Sequence, residues 1–252
     1  MDGLKTTTII AAVVGGVVPT FIWLWFWLTR KDDEPEPMSL LMLAFVGGML
    51  SVLVLFPLRP LTEGLSLSPL LLTTLYAGLE EISKVVVIAL IVFGSQHVDQ
   101  AIDYTVYLVT GALGFSALEN TLYLLSPLNQ GLDLGAIVVT GNLRFLGATV
   151  LHTVTVALVG VILGYAFTRS FGVKIIHTIV GIVMATGLHT AFNTFIMSDT
   201  RQGTIIAIAG IWFAAVIIIL LFDRLKNFHR EIAVVEPLPS IISPTPPNPY
   251  TL

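Results

Sequence analysis

Seven stretches of this chain are apolar over lengths that can cross a lipid bilayer, and nothing else in the sequence limits the fold as much. They lie near 8–28, 38–57, 69–93, 102–125, 141–168, 173–197 and 203–223. A hydrocarbon core about 30 Å thick needs about 20 apolar residues in helical form. Water is absent there, so every backbone polar group must be bonded within the chain, and only helices or closed barrels qualify. Barrel strands would read as runs of about 10 residues with alternating polarity, and the sequence has none. The expected fold is an all-α, polytopic helical membrane protein with about seven transmembrane helices. Residues 1–223 are expected to form one transmembrane domain. Residues 224–252 are expected to be a disordered cytoplasmic tail, because six prolines and little charge follow Glu231.

Composition removes several function classes. The 252 residues are 55% hydrophobic and 11% charged, with a mean hydropathy of +0.91. No cysteine is present, which excludes disulfides, thiolate metal sites and cysteine nucleophiles. A formal charge of -4 argues against nucleic acid as a partner. The first apolar run is too long for a signal-peptide core and ends in Trp23, Trp25 and Trp27 without a small-residue cleavage site. It reads as a retained span with an interfacial aromatic cluster.

Loop charges set an expected orientation. Lys5, Arg59 and Arg201 fall on one side, and Arg30, Lys31, Arg169, Lys174, Arg224, Lys226 and Arg230 on the other. The positive-inside rule puts the second set in the cytoplasm. The N-terminus is then outside the cell membrane and the C-terminus inside.

One span departs from this apolar pattern. "YAGLEEISKVVVIAL" (76–90) carries Glu80, Glu81 and Lys84 near the middle of the third run. Each charge at mid-span costs about 2.5–3.5 kcal/mol, and each aliphatic residue returns only about 0.3–0.6 kcal/mol. Lys84 stands at i,i+4 from Glu80 and i,i+3 from Glu81, so it can neutralise one of them. The other carboxyl must be protonated or meet a partner on another helix.

Other spans supply such partners. "GFSALEN" holds Phe115, Glu119 and Asn120; "NLRFLGATVLHTV" holds Arg144 and His152; "GLHTAFN" places His189 and Asn193 at i,i+4. Successive spans alternate in direction. Counted from the nearer span end at 1.5 Å per residue, the Glu80/Glu81 pair, Glu119, His152 and His189 lie roughly 17, 9, 17 and 12 Å below the same membrane face. Four helices thus place polar groups in one half of the bilayer, the outer half by the charge count. Intramembrane ionisable groups at matched depth point to a functional site.

These residues, in order, resemble the PrsW family of intramembrane proteases. The resemblance starts at "DDEPEP" (32–37) and continues through E-E-x-x-K at Glu80, Glu81 and Lys84. It then takes in F-x-x-x-E-N at Phe115, Glu119 and Asn120, then Arg144 and His152, and ends with H-x-x-x-N at His189 and Asn193. It covers roughly residues 10–200, and is shared more distantly with CAAX prenyl endopeptidases and bacteriocin-processing proteins. It implies an endopeptidase acting in the membrane on a membrane-anchored protein, such as an anti-sigma-factor-like regulator. It also implies Glu80, Glu81, Glu119, His152 and His189 as catalytic residues, with Lys84, Phe115, Asn120, Arg144 and Asn193 supporting them.

Hydrolysis fits the residue types. A peptidase needs a water, a base and a group that stabilises the oxyanion. Glu80 or Glu81 is the expected base, with the other held by Lys84. His152 and His189 either polarise the carbonyl or, with a carboxylate, ligate Zn2+. H-E-x-x-H is absent, so a metal-free glutamate mechanism stands beside the zinc one. A proton-coupled transporter or channel could also use a Glu/His relay, although no repeated halves are visible in the sequence.

Overall fold

The computed structural model describes residues 2–31, 35–55, 57–58, 62, 64–129, 135, 144–198 and 200–235. Among the described residues it contains seven α-helices: α1 (Asp2–Leu28), α2 (Met38–Leu55), α3 (Pro69–Val92), α4 (Asp103–Asn129), α5 (Thr149–Gly164), α6 (Phe171–Ile196) and α7 (Arg201–Val235). A π-helical turn, Arg144–Ala148, leads into α5. The helices fall on the seven expected runs. Six are long and apolar enough to cross a membrane. The other, α3, has 24 residues, about 36 Å of helix, and it is the one that carries Glu80, Glu81 and Lys84. The protein is an all-α polytopic membrane protein. Residues 32–34 of the acidic motif and 236–252 of the expected tail lie outside the described residues.

Two helices form the centre. About 67% of the α4 span and 78% of the α5 span are buried, against 17% for α1 and 11% for α6. The outer helices turn Ile, Val, Leu and Phe outwards, as a lipid-facing surface requires. Small residues let α4 reach the middle. A Cβ on Gly48 would lie 1.8 Å from the Gly111 carbonyl oxygen, and one on Gly114 1.9 Å from that of Phe45. The α2 and α4 backbones therefore touch, which is how membrane helices gain packing without a hydrophobic driving force between them. At the start of α3, Ser68 caps the Leu71 N–H at 3.4 Å, and Pro69 follows in the first turn, where no donor is lost.

The tryptophan cluster differs from the interfacial reading. Trp27 is buried edge-on against Phe222 at 5.4 Å, and Trp23 packs on Trp212 at 5.8 Å. Only Trp25 is exposed, at 69%. Most of the cluster therefore serves to seat α1 on α7.

A buried polar tie closes the end of the molecule away from Glu80. Glu36 accepts hydrogen bonds from Lys31 and from Tyr107. Lys31 also reaches Asp103 Oδ1 at 2.9 Å, and Asp103 Oδ2 accepts from the Gln100 N–H at 2.6 Å. Nearby, Arg30 pairs with Asp223 at 2.8 Å. Burial alone would lower the Lys31 pKa, but its hydrogen bonds to Glu36 and Asp103 outweigh that and hold it above its ordinary 10.5. A raised pKa contributes stability that is fully present below the unfolded value and is lost as pH rises through the folded one. The wild type should therefore melt higher than Lys31→Met in detergent at neutral pH, with the gap closing only at pH values above 10.5. Thermal melts across that range check this, and a gap that does not change with pH contradicts it.

Candidate active site

The site is built from α3, α4, α5 and α6. On α3, Glu80 and Glu81 occupy neighbouring positions but face different surroundings. The Glu81 and Lys84 side chains have no exposure to solvent. Glu81 Oε1 accepts three hydrogen bonds: from Lys84 Nζ at 2.8 Å, His189 Nδ1 at 2.7 Å and Thr155 Oγ1 at 3.1 Å. Glu80 is 15% exposed, and its Oε2 faces His189 Nε2 at 3.6 Å. Lys84 thus pairs with the i,i+3 carboxylate, and Glu80 takes its partner from α6.

Lys84 also reaches α5. Its Nζ lies 3.2 Å from His152 Nδ1 and 5.1 Å from the centre of the Phe115 ring. Phe115 in turn packs on the His152 ring at 5.0 Å, so the aromatic residue one turn before Glu119 forms the floor under both Lys84 and His152. The two imidazoles are 5.2 Å apart between ring centres.

Glu119, on α4, completes a second ion pair. Its Oε2 accepts from Arg144 Nη2 at 2.5 Å and from His152 Nε2 at 3.1 Å. Arg144 Nε donates to Asn120 Oδ1 at 2.6 Å, and Asn120 Nδ2 donates to Thr149 Oγ1 at 2.9 Å. The guanidinium lies 4.2 Å from the centre of the Tyr123 ring. Arg144 opens the π-helical turn, an irregularity that often marks functional sites. It joins this network instead of merely anchoring a membrane interface.

The hydrogen-bond partners decide which nitrogen of each histidine carries a proton. Lys84 donates to His152 Nδ1, so the proton of a neutral His152 is on Nε2, directed at Glu119. Glu81 accepts from His189 Nδ1, so the lone pair of a neutral His189 is on Nε2, directed at Glu80. One imidazole donates into the site and the other accepts.

Of the expected site residues, Glu80, Glu81, Lys84, Phe115, Glu119, Asn120, Arg144, His152 and His189 meet in one connected cluster. Asn193 lies one turn beyond His189 and makes no side-chain hydrogen bond among the described residues. Three residues in the cluster carried no separate sequence signal: Thr155, Thr149 and Tyr123. Thr155 and Thr149 stand three residues either side of His152, and Tyr123 four beyond Glu119, so helical spacing could have found them. Threonines in membrane helices often bond their own backbone, however, as Thr153 does to the Thr149 carbonyl oxygen at 2.7 Å. Spacing alone does not distinguish the two uses.

The donor set can accept a metal ion. Glu80, His152 and His189 each offer one ligand atom, all within 4.8 Å of one another. Two imidazoles and a carboxylate match a catalytic zinc set, and a carboxylate behind the far nitrogen, as Glu81 is behind His189, is the usual outer support. Glu80 and His189 are the donors with free electron pairs, and His152 joins them only as its other tautomer.

Buried carboxylates and imidazoles inside a helical membrane bundle are the groups that a membrane-embedded hydrolase uses. The chain belongs to the PrsW family: residues 36–222 match the PrsW family intramembrane metalloprotease. It is 28% identical over 214 residues to Protease PrsW of Geobacillus kaustophilus (strain HTA426), covering 81% of this chain and 88% of that protein. No solved structure matches the chain. The protein is an intramembrane endopeptidase, and the family match favours hydrolysis over a transporter or channel.

Lys84→Ala leaves Glu81 buried without its cation. Breaking such a pair costs about 3–5 kcal/mol, so this variant should melt well below the wild type and lose activity. Thermal unfolding in detergent checks it, and an unchanged melt contradicts the buried pairing.

Proposed function

We propose that this endopeptidase cleaves a membrane-anchored, single-span protein within the outer half of the bilayer, with Glu80 as the base. The observation that carries this reading is the contrast between the two carboxylates. Glu81 is fully buried and committed to three donors, while Glu80 is partly open and faces a histidine lone pair. Glu80 takes the proton of a water that attacks the scissile carbonyl carbon, and returns it to the leaving amine. The His152 Nε2–H, which donates to Glu119 at 3.1 Å, would serve the developing oxyanion by exchanging that bond for one to the substrate. Glu81 and Lys84 position the two imidazoles. Arg144 draws the Glu119 carboxylate to one side, so that it turns His152 without competing for the water. Glu80, His152 and His189 would hold a metal, and zinc bound there would supply a Lewis acid and a water deprotonated near neutral pH.

Glu80→Gln should lower cleavage of a single-span substrate at least about 100-fold without altering the melting temperature. Near-wild-type cleavage contradicts Glu80 as the base. Strong chelation of the purified wild type separates the two chemistries. A zinc enzyme loses activity and regains it on metal addition, whereas a glutamate enzyme is indifferent to chelator and still depends on His189.

The proposed orientation is N-terminus outside and C-terminus cytoplasmic, with 1–223 as the protease domain and the segment from 224 as a cytoplasmic extension. Support comes from the loop charges and from their placement. Arg30 pairs with Asp223 and Lys226 donates to the Arg30 carbonyl oxygen at 2.9 Å, which puts the C-terminal ends of the first and last spans at one membrane face. An anti-sigma-factor-like regulator, cut on its extracytoplasmic side, suits that orientation. A reporter fused after Leu252 should be active only in the cytoplasm, and extracytoplasmic activity reverses the assignment.

A further inference from the structure

Three tryptophans pack at the seam between α1 and α7, and they differ in one respect. The indole N–H groups of Trp23 and Trp27 are buried, and neither has an acceptor among the described residues. The Trp212 N–H has one: its Nε1 donates to the Leu146 carbonyl oxygen at 3.0 Å. Leu146 lies in the π-helical turn that opens with Arg144. Leu146 is 43% exposed and Trp212 37%, and the surrounding lipid offers a carbonyl no donor. The next residue, Gly147, is closed in by α7 and α6. A Cβ there would lie 3.0 Å from Ile208 Cδ1 and 3.1 Å from Phe192 Cζ. Ile208 and Trp212 stand at i,i+4, on one face of α7.

That turn decides where Arg144 points. Arg144 precedes His152 by eight residues. Eight α-helical steps of about 100° would set the two about 80° apart around the axis. A π turn spends one residue more on each hydrogen-bonded ring, and with one step lost the offset falls to about 20°. Arg144 Nη2 and His152 Nε2 accordingly both reach Glu119 Oε2, at 2.5 and 3.1 Å. We propose that Trp212 is a positioning residue for the hydrolysis: its N–H, through the Leu146 carbonyl, holds the π turn in the register that keeps Arg144 on Glu119. The inference rests on the hydrolase reading, in which Arg144 holds the Glu119 carboxylate beside His152 and away from the attacking water. Without the indole N–H, the Leu146 carbonyl loses that donor in lipid and the turn gives way towards the α-helical register. Arg144 then swings off the shared face, and Glu119 is left to compete for the water.

The test uses full-length protein in liposomes and, from a mixture of synthetic single-span peptides, the one that the wild type cuts fastest. Trp212→Phe keeps an aromatic ring and removes the donor. Trp23→Phe is the packing control, because it thins the same aromatic pair, whose rings lie 5.8 Å apart, and removes no hydrogen bond to a described residue. Trp212→Phe should lower kcat about 10–100-fold, up to the cost of a misplacement of about 1 Å, with KM unchanged. Trp23→Phe should keep the wild-type kcat. Full activity of Trp212→Phe, or an equal loss in both variants, overturns the proposal while hydrolysis stands. A wild type that makes no cut sensitive to Glu80→Gln overturns the hydrolase reading instead, and the register is then judged by structure alone.

That second measurement needs no catalysis. In protein carrying isotopically labelled arginine, the Arg144 Nε–H, which donates to Asn120 Oδ1 at 2.6 Å, gives an NMR signal assigned by its loss in Arg144→Lys. The signal should move in Trp212→Phe and stay in place in Trp23→Phe. A signal that Trp212→Phe leaves unmoved, or that both variants move alike, overturns the proposal whatever happens to kcat.

Discussion

The Lys84 ammonium group, buried between Glu81 on its own helix and His152 on α5, is the contact on which the rest of the site depends. A membrane interior gives no solvent to a charge, so each charge must be met by another or by a strong hydrogen bond. Lys84 meets Glu81, Glu81 meets His189, and His152 meets Glu119, which meets Arg144. Four helices and the π-helical turn are thereby held in one register. Such a chain gives little net stability, because desolvation consumes most of the Coulomb energy. What it provides is direction: His152 is held between Lys84 and Glu119, and His189, held by Glu81, turns its other nitrogen towards Glu80.

Packing makes that precision possible. The buried α4 and α5 carry Glu119 and His152, while the peripheral α3 and α6 bring their polar faces inwards and their aliphatic faces out. Direct backbone contact at Gly48 and Gly114 brings α2 close against α4. The site is closed on the side where Glu81, Lys84 and the histidines are buried. It is open on the other side, where Glu80 and Glu119 keep 15% and 23% exposure. Water and a peptide can reach the second pair without uncovering the first.

Much of this was legible in the sequence, for identifiable reasons. Seven long apolar runs gave the helices, because lipid leaves few alternatives. Three charges inside one run cannot be hidden by composition, and alternating span direction put their partners at a common depth. The division of labour between Glu80 and Glu81 was not legible, since Lys84 can reach either by helical spacing. Arg144 stands near a span end, where an interfacial anchor and a buried partner of Glu119 look alike. Thr155 was hidden by the backbone bonding open to any membrane threonine. Trp23 and Trp27 sit where membrane tryptophans usually meet headgroups, and only the approach of α7 turns them inwards.

The buried Glu81–Lys84 pair serves the site and not the fold. Replacing both at once with apolar residues of similar size tests it most directly, because no charge is then left unpaired. Glu81→Met combined with Lys84→Leu should melt within about 1–2 kcal/mol of the wild type, or above it, and should cleave a single-span substrate at least about 100-fold more slowly. A double variant that is fully active would show that the pair does not serve catalysis, and one that fails to fold would show that it holds the helices together.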